Sequence, residues 1–265
     1  MKTVSQRSLR FVVASLVFTL AGAIYVYGSH LFAQTKQMQS KPVAVVELFT
    51  SEGCSSCPSA DQNLKRIAAV SKKNLQIVTL SFHVDYWNNL GWKDPFSQAA
   101  FTQRQREYAK FSNSHRIYTP QMIVNGRVEF VGSDRALSDR GIQQELSVPV
   151  SHLVALATGA VSRENSLNIK YDIRSSNPSN DDDTKYVLNV AITEDSDEIS
   201  VAQGENAGRK LSHASVVKSF KVVPLTAPVG ELDIELPRQS NPSRRIVAYV
   251  QAVDTLAITG AAALP

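Results

Sequence analysis

The distribution of apolar and polar positions predicts a β–α–β unit near the start of the chain. Two apolar runs, Val43–Phe49 and Leu75–Phe82, are rich in β-branched residues, which is typical of strands buried on both faces. Between them, residues 58–71 carry apolar side chains at helical spacing and predict an amphipathic helix, with Asp61 on its outer face. This order indicates two parallel strands joined by a right-handed crossover.

A second helix, a hairpin and a third helix are predicted to follow. The segment Phe96–Phe111 has helical spacing of its aromatic residues. Asn125-Gly126 separates two alternating apolar runs, which is the strongest short signal for a β-hairpin. A last helical pattern runs from about Asp134 to Ser147. The predicted order is therefore β–α–β–α–β–β–α.

Beyond Pro149 the pattern changes to strands. Six short apolar runs are separated by turns rich in Asn, Pro, Ser and Asp, as in a β-sandwich-like module. We therefore predict a polar linker at 34–42, an α/β domain at 43–149 and a β-rich, sandwich-like C-terminal domain at 150–265.

The N-terminus has the pattern of an export signal. Lys2, Arg7 and Arg10 precede an uncharged apolar run at 11–27. That run is longer than most cleaved signals and shorter than a comfortable membrane span. Residues 1–33 are thus predicted to be either a signal peptide or a membrane anchor. Both alternatives predict an extracytoplasmic protein, periplasmic if bacterial, in a compartment where disulfides persist.

The low net charge argues against nucleic acid as a partner, and the two cysteines limit the chemistry that the protein could perform. The 265 residues carry a net charge of only +4. We find no basic cluster with interleaved aromatic residues, so nucleic acid is not predicted as a partner. The chain has two cysteines, Cys54 and Cys57, and both lie between the first predicted strand and the first helix.

The spacing of Cys54 and Cys57 leaves three uses to choose among. A permanent disulfide would stabilise little, because the loop that it closes is very short. A metal site would need further ligands. A redox pair that opens and closes would suit this spacing. At a helix N-terminus, the dipole and the unpaired amides stabilise a thiolate. We therefore expect Cys54 to be the exposed nucleophile and Cys57 the resolving thiol.

Longer stretches around these cysteines resemble known families. The Cys-Ser-Ser-Cys segment followed by YTPQMIVNGRVEFVGSDRAL resembles the thioredoxin superfamily, and its second part is similar to glutaredoxins. The stretches VELFTSEGCSSCPSAD, LSFHVDYWNNLGWKDPF and GENAGRKLSHASVV together resemble an exported thioredoxin-like family of unassigned function. The resemblance covers the chain from about Val43 to its C-terminus. Two features depart from small thioredoxins: no Trp immediately precedes Cys54, and the interval from Cys57 to Pro120 is long.

The resemblance implies a fold, an activity and a class of partner. It implies a thioredoxin-like domain at 43–149 and a protein disulfide oxidoreductase that needs no cofactor. The substrate would be a protein or small-thiol disulfide, and the redox partner is not specified. In such a fold the Thr119-Pro120 bond would be cis, and Pro120 would lie against the cysteines and present its backbone to an extended substrate.

Several residues near the cysteines are further candidates. Glu47, in a central strand, would have a raised pKa if it were buried without a partner, and could then accept the proton of Cys57. The alternative is a strand-end carboxylate that faces solvent. Trp87 and Trp92 either line a substrate groove or pack their loop down. Tyr118 and Thr119 are substrate-binding candidates on the same grounds.

Two other functions remain open. Cys54, Cys57 and His83 could bind copper or zinc, since thiolates and imidazole suit both metals. Otherwise His83 only holds its loop by hydrogen bonds. The protein could also be a binding module whose disulfide stays closed. Glu52 is expected to be a simple loop charge, and the stretch Gly204–Val217 to contact the first domain.

Overall fold

The computed structural model describes residues 41–74, 76–112, 116–162, 164–176, 184–196, 198–238 and 243–265. All of these residues belong to one compact unit. The predicted signal peptide or anchor at 1–33, with its apolar run at 11–27, lies outside the described residues, as do residues 34–40 of the predicted linker at 34–42. Within the described ranges, no helix is long and apolar enough to cross a membrane.

The first part of the chain forms the predicted β–α–β unit. Strands β1 (Ala44–Thr50) and β2 (Ile77–His83) are parallel neighbours, and helix α1 (Cys57–Ser71) connects them. On its other side β1 pairs with the antiparallel strand β3 (Gln121–Val124), which forms a hairpin with β4 (Val128–Val131).

The hairpin and the remaining helices also match the predicted order. Asn125 and Gly126 have φ values of 47° and 68°, which is the left-handed backbone that a tight hairpin turn requires. Helix α2 (Ala99–Phe111) follows β2, after a short 3-10 turn at Asn88–Leu90. Helix α3 (Arg135–Leu146) is capped by Asp134, whose carboxylate accepts a hydrogen bond from the Leu137 N–H.

The C-terminal part contains only strands among its described residues. They are β5 (His152–Val161), β6 (Ser166–Ser175), β7 (Tyr186–Glu194), β8 (Ile199–Ser200), β9 (Lys210–Leu211), β10 (Val216–Pro224), β11 (Val229–Glu235), β12 (Arg245–Ala252) and β13 (Ile258–Leu264). Six of these strands match predicted apolar runs, whereas the two-residue strands β8 and β9 and the Ala-rich strand β13 were not predicted. Alanine and glycine have low strand propensity, so β13 carries a weak signal.

The strands form a mixed sheet with a smaller sheet packed on it. The large sheet has the order β13-β12-β7-β10-β2-β1-β3-β4, and the small one the order β11-β6-β5. Apolar side chains of the small sheet pack against those of β7 and β12, which gives the C-terminal region a sandwich-like core. The predicted α/β class with a β-rich, sandwich-like C-terminal region is thereby confirmed.

Strands from both sides of Pro149 share the large sheet. Strand β10 runs parallel to β2, with Val216 opposite Ser81, and the Ser81 N–H donates to the Ser215 carbonyl at 2.8 Å. The division into domains at 43–149 and 150–265 stays a prediction, which separate expression of the two segments would test.

Candidate functional site

The two cysteines form a disulfide where β1 passes into α1. Their Cα atoms lie 5.4 Å apart. Cys57 is the first residue of α1, Pro58 occupies its first turn, and the Cys57 N–H donates to the Cys54 carbonyl at 3.2 Å. The apolar face of α1 packs on β1, so the disulfide lies at the carboxyl ends of the parallel strands β1 and β2. The helix N-terminus there favours negative charge on sulfur.

The prediction that Cys54 is exposed is wrong for the closed disulfide. Both cysteines are 0% exposed, whereas Ser55 and Ser56 between them are exposed. The turn that joins β8 to β9, residues Val201–Arg209, lies against the loop that carries the cysteines, and we call it the β8–β9 tip. Cys54 therefore contacts a segment more than a hundred residues away in the sequence.

Side chains of the β8–β9 tip bond directly to residues 51–56, which we call the cysteine loop. The Asn206 amide donates to the carbonyls of Glu52 and Cys54, at 2.8 and 2.9 Å. The Ser55 N–H donates to the Glu205 carboxylate at 2.9 Å. These bonds make the contact with the first part of the chain that the sequence predicted for this stretch. Arg209 contributes indirectly, because its guanidinium donates to the Asn206 side-chain oxygen.

A buried ionic cluster lies beside the disulfide. His213 Nε2 is 3.2 Å from Glu52 Oε1, and His213 Nδ1 is 3.5 Å from Asp61 Oδ2. Burial alone would lower the pKa of His213, but the hydrogen bonds and charges of Asp61 and Glu52 raise it to about 10. His213 is therefore an imidazolium at neutral pH. The expectation that Glu52 is a simple loop charge is wrong, because its side chain is fully buried.

This imidazolium makes stability depend on alkaline pH. Because the pKa of His213 is raised in the folded state, its stabilisation is complete below about pH 6.5 and is lost as the pH rises through about 10. We expect the free energy of unfolding in urea to fall between pH 7 and pH 10. The fall should be smaller in His213→Gln, and equal slopes in both proteins would contradict the assignment.

His83 belongs to the same cluster and holds its loop. His83 Nδ1 lies 2.7 Å from Asp94 Oδ2, which also accepts the Glu52 N–H. Burial raises the pKa of Asp94, but the charge and hydrogen bond of His83 and further backbone bonds bring it below its usual value. Among the described residues, no three His, Cys, Asp or Glu side chains are arranged to bind a metal. The structure thus does not assemble Cys54, Cys57 and His83 as ligands.

Glu47 is buried but faces away from α1. Its carboxylate accepts hydrogen bonds from Arg104 and Tyr108, and from Tyr249 at 3.1 Å. Side chains alternate along β1, and Leu48, the next residue, packs on the α1 side. The carboxylate is therefore neither solvent-facing nor directed at Cys57.

Asp61 is a buried acid on the cysteine side of the sheet. It lies four residues after Cys57 on α1, so the two side chains occupy the same face of the helix. Its exposure is 5%, which corrects the prediction of an outward position, and it accepts the Thr50 hydroxyl at 2.9 Å. The spacing of four was visible in the sequence, but the residues that bury Asp61 were not.

The loop after β2 that carries Trp87 and Trp92 approaches the cysteine loop, and Trp87 also contacts the Thr119-Pro120 segment. The Thr119-Pro120 bond is cis, as predicted, and Pro120 is buried. The Trp87 indole donates to the Thr119 hydroxyl at 2.8 Å, and a Cβ atom built on Gly53 would lie 3.1 Å from Trp87 Cβ. The Trp92 indole donates to Glu52 at 2.8 Å. Both tryptophans thus pack against the cysteine loop.

Contact with substrate stays a prediction for Pro120, Thr119, Trp87 and Trp92. Tyr118 is half-exposed, and its carbonyl accepts a hydrogen bond from the Gln105 amide. Burial, with a smaller effect from Glu129, raises the pKa of the Tyr118 hydroxyl to about 12, so this side chain is neutral at ordinary pH.

Comparison with known proteins gives a family and a fold. The chain is similar to the crystal structure of protein AGR_C_4864 from Agrobacterium tumefaciens, at 26% identity and a TM-score of 0.60, over 85% of this chain and 95% of that one. It is also similar in fold to HBP35 of Porphyromonas gingivalis, at 13% identity and a TM-score of 0.63, over 86% of this chain and 76% of that one.

No curated protein matches the chain. A family model described as "Protein of unknown function (DUF1223)" matches residues 45–251, which is most of the sequence. The chain therefore belongs to the DUF1223 family of proteins of unknown function.

Proposed function

We propose that this protein is an exported thiol–disulfide oxidoreductase whose Cys54–Cys57 bond opens and closes during exchange. The observation that carries the proposal is the bonded pair itself, which lies at the N-terminus of α1 and at the ends of two parallel strands. A cross-link between residues three positions apart closes too short a loop to stabilise the chain appreciably. Reversible exchange explains why two thiols have this spacing, whereas a contribution to stability does not.

The surrounding fold supports this assignment. The strand order β2-β1-β3-β4 has α1 and α3 packed on one face and α2 on the other. That arrangement agrees with the thioredoxin-like domain which the sequence resemblance implied. Location outside the cytoplasm is supported by the basic and apolar pattern of the N-terminus, and it would let the disulfide persist.

The exchange step needs no further reactant than a thiol and a disulfide. A partner thiolate attacks Sγ of Cys54, the Cys54–Cys57 bond breaks, and its electron pair stays on Sγ of Cys57. The product is a mixed disulfide between Cys54 and the partner. Attack by a second partner thiol on that mixed disulfide completes reduction of the pair and releases an oxidised partner. The same steps in reverse transfer a disulfide to this protein.

The equilibrium reduction potential of the Cys54–Cys57 pair tests the proposal. We expect a value within the range of catalytic pairs, about −270 to −120 mV, in glutathione or dithiothreitol redox buffers. A potential below about −300 mV would identify a structural disulfide instead. Metal analysis of the reduced protein tests the copper or zinc alternative in the same preparation.

A binding module with a permanently closed disulfide is the second candidate. The complete burial of both cysteines favours it, since a buried disulfide resists exchange, and the β8–β9 tip is bonded to the Cys54 carbonyl. The redox proposal therefore requires the tip to leave Cys54 before a partner can react.

A further inference from the structure

We infer that the β8–β9 tip occupies the binding surface of an extended, cysteine-containing polypeptide, which displaces the tip in order to reach Cys54. This inference rests on the proposed function and names its partner class. It concerns the tip residues Val201–Arg209 and the cysteine loop beneath them. Three observations support the inference. They are the backbone groups to which the tip bonds, the separation of its hairpin from the large sheet, and the hydrogen bonds within the tip.

The tip bonds to backbone groups that an extended chain could also bond. The carbonyls of Glu52 and Cys54 accept hydrogen bonds from the Asn206 amide, and the Ser55 N–H donates a hydrogen bond to the Glu205 carboxylate. A polypeptide backbone offers both N–H donors and carbonyl acceptors, so it can replace all three bonds. A simple thiol such as 2-mercaptoethanol lacks backbone amides. Once the tip has moved away, the free carbonyls of Glu52 and Cys54 and the free Ser55 N–H therefore favour a polypeptide over a simple thiol.

The hairpin that carries the tip is separate from the large sheet. Strands β8 and β9 pair with each other through Ile199–Leu211 and Ser200–Lys210, and they form a sheet of their own among the described residues. Outward movement of the tip therefore breaks no strand pairing of the two larger sheets.

The tip also keeps its own bonds when it moves. The Val201 N–H donates to the Arg209 carbonyl, and the Gly208 N–H to the Val201 carbonyl, at 2.9 and 2.8 Å. Arg209 holds Asn206 from within the same segment. Opening thus costs the bonds to the cysteine loop, the contact of Gly204 with Trp92, and part of the burial of Val201 and Asn206. A partner that restores the bonds to the cysteine loop offsets most of that cost.

Reduction kinetics of the disulfide test the inference. The wild-type protein and Asn206→Ala are reduced with excess 2-mercaptoethanol, and separately with an unstructured peptide that contains one reduced cysteine. Loss of the two Asn206 bonds should accelerate reduction by mercaptoethanol about tenfold, because the tip opens more often. In the wild type, the peptide should react about tenfold faster than mercaptoethanol at equal thiolate concentration, since it replaces the bonds of the tip.

A matched control and a milder variant keep the test decisive. Lys210→Ala alters an exposed residue of the same hairpin, which pairs with Glu198 and not with the cysteine loop, and should leave both rates unchanged. If Asn206→Ala does not fold, Glu205→Ala removes the bond from Ser55 at an exposed position and should still accelerate reduction. Unchanged rates in the folded variants would overturn the covering role. A peptide no faster than mercaptoethanol would overturn the polypeptide assignment.

Failure of the proposed oxidoreductase function would be distinguishable from failure of the inference about the tip. Chemical reduction in excess thiol measures access to the disulfide whether or not the protein exchanges disulfides with a physiological partner. A potential in the structural range would reject the oxidoreductase and leave these accelerations intact.

Discussion

Substitution of Cys57 by serine is expected to abolish turnover and to trap mixed disulfides on Cys54. Cys54 lies ahead of the first helical residue, and its sulfur is 3.3 Å from the hydroxyl of the exposed Ser56. That hydroxyl and the helix N-terminus stabilise a Cys54 thiolate, which can attack a partner disulfide. Without Cys57 no internal thiol resolves the product. Mass spectrometry after incubation with oxidised extracytoplasmic proteins would detect the adducts.

The reciprocal variant is the control for this experiment. Cys54→Ser should trap few partners, because Cys57 is the first residue of α1 and lacks the contact with the exposed Ser56 hydroxyl that Cys54 makes. Equal trapping by both variants would reverse the assigned roles. Absence of trapping in both would favour the permanently closed disulfide.

Substitution of Arg104 by methionine is expected to give the largest loss of stability. The Arg104 guanidinium is 2.7 Å from Glu47 Oε1, and the Glu47 side chain is completely buried. Removal of one partner from a buried pair leaves an uncompensated charge and costs about 3–5 kcal/mol in the free energy of unfolding. Urea denaturation monitored by circular dichroism would measure this loss.

Two further variants separate the charge effect from general damage to α2. Arg106→Met changes an exposed arginine on the same helix and should alter stability by less than about 0.5 kcal/mol. The double variant Glu47→Met/Arg104→Met removes both charges and should be more stable than Arg104→Met alone. Additive destabilisation in the double variant would show that the two side chains contribute separately.

The elements around the cysteines were predictable because their signals are local. Apolar runs identified β1 and β2, and the Asn125-Gly126 turn identified the β3–β4 hairpin. The position of Cys54 and Cys57 between a strand signal and a helix signal placed them at the start of a helix. Each of these predictions depends on residues within a few positions of one another.

The cover of the site was not predictable in the same way. Asn206 and His213 come from the strand-rich region, and nothing near Cys54 in the sequence indicates that they meet it. Without these partners, Glu52 and Asp61 have the pattern of solvent-facing carboxylates, and Cys54 that of an exposed thiol. The burial of Glu52, Asp61 and Cys54 was predicted wrongly because it involves contacts with residues that are distant in the sequence.

The distance along the chain between contacting groups also sets an order of events during synthesis. Asn206 bonds to Cys54 across 152 positions of the chain. A ribosome makes the cysteines long before it makes the segments that bury them. Such non-local contacts form late, because a long loop must close first. The nascent thiols therefore pass through an uncovered stage in which an oxidant can reach them freely, before the finished chain restricts that access.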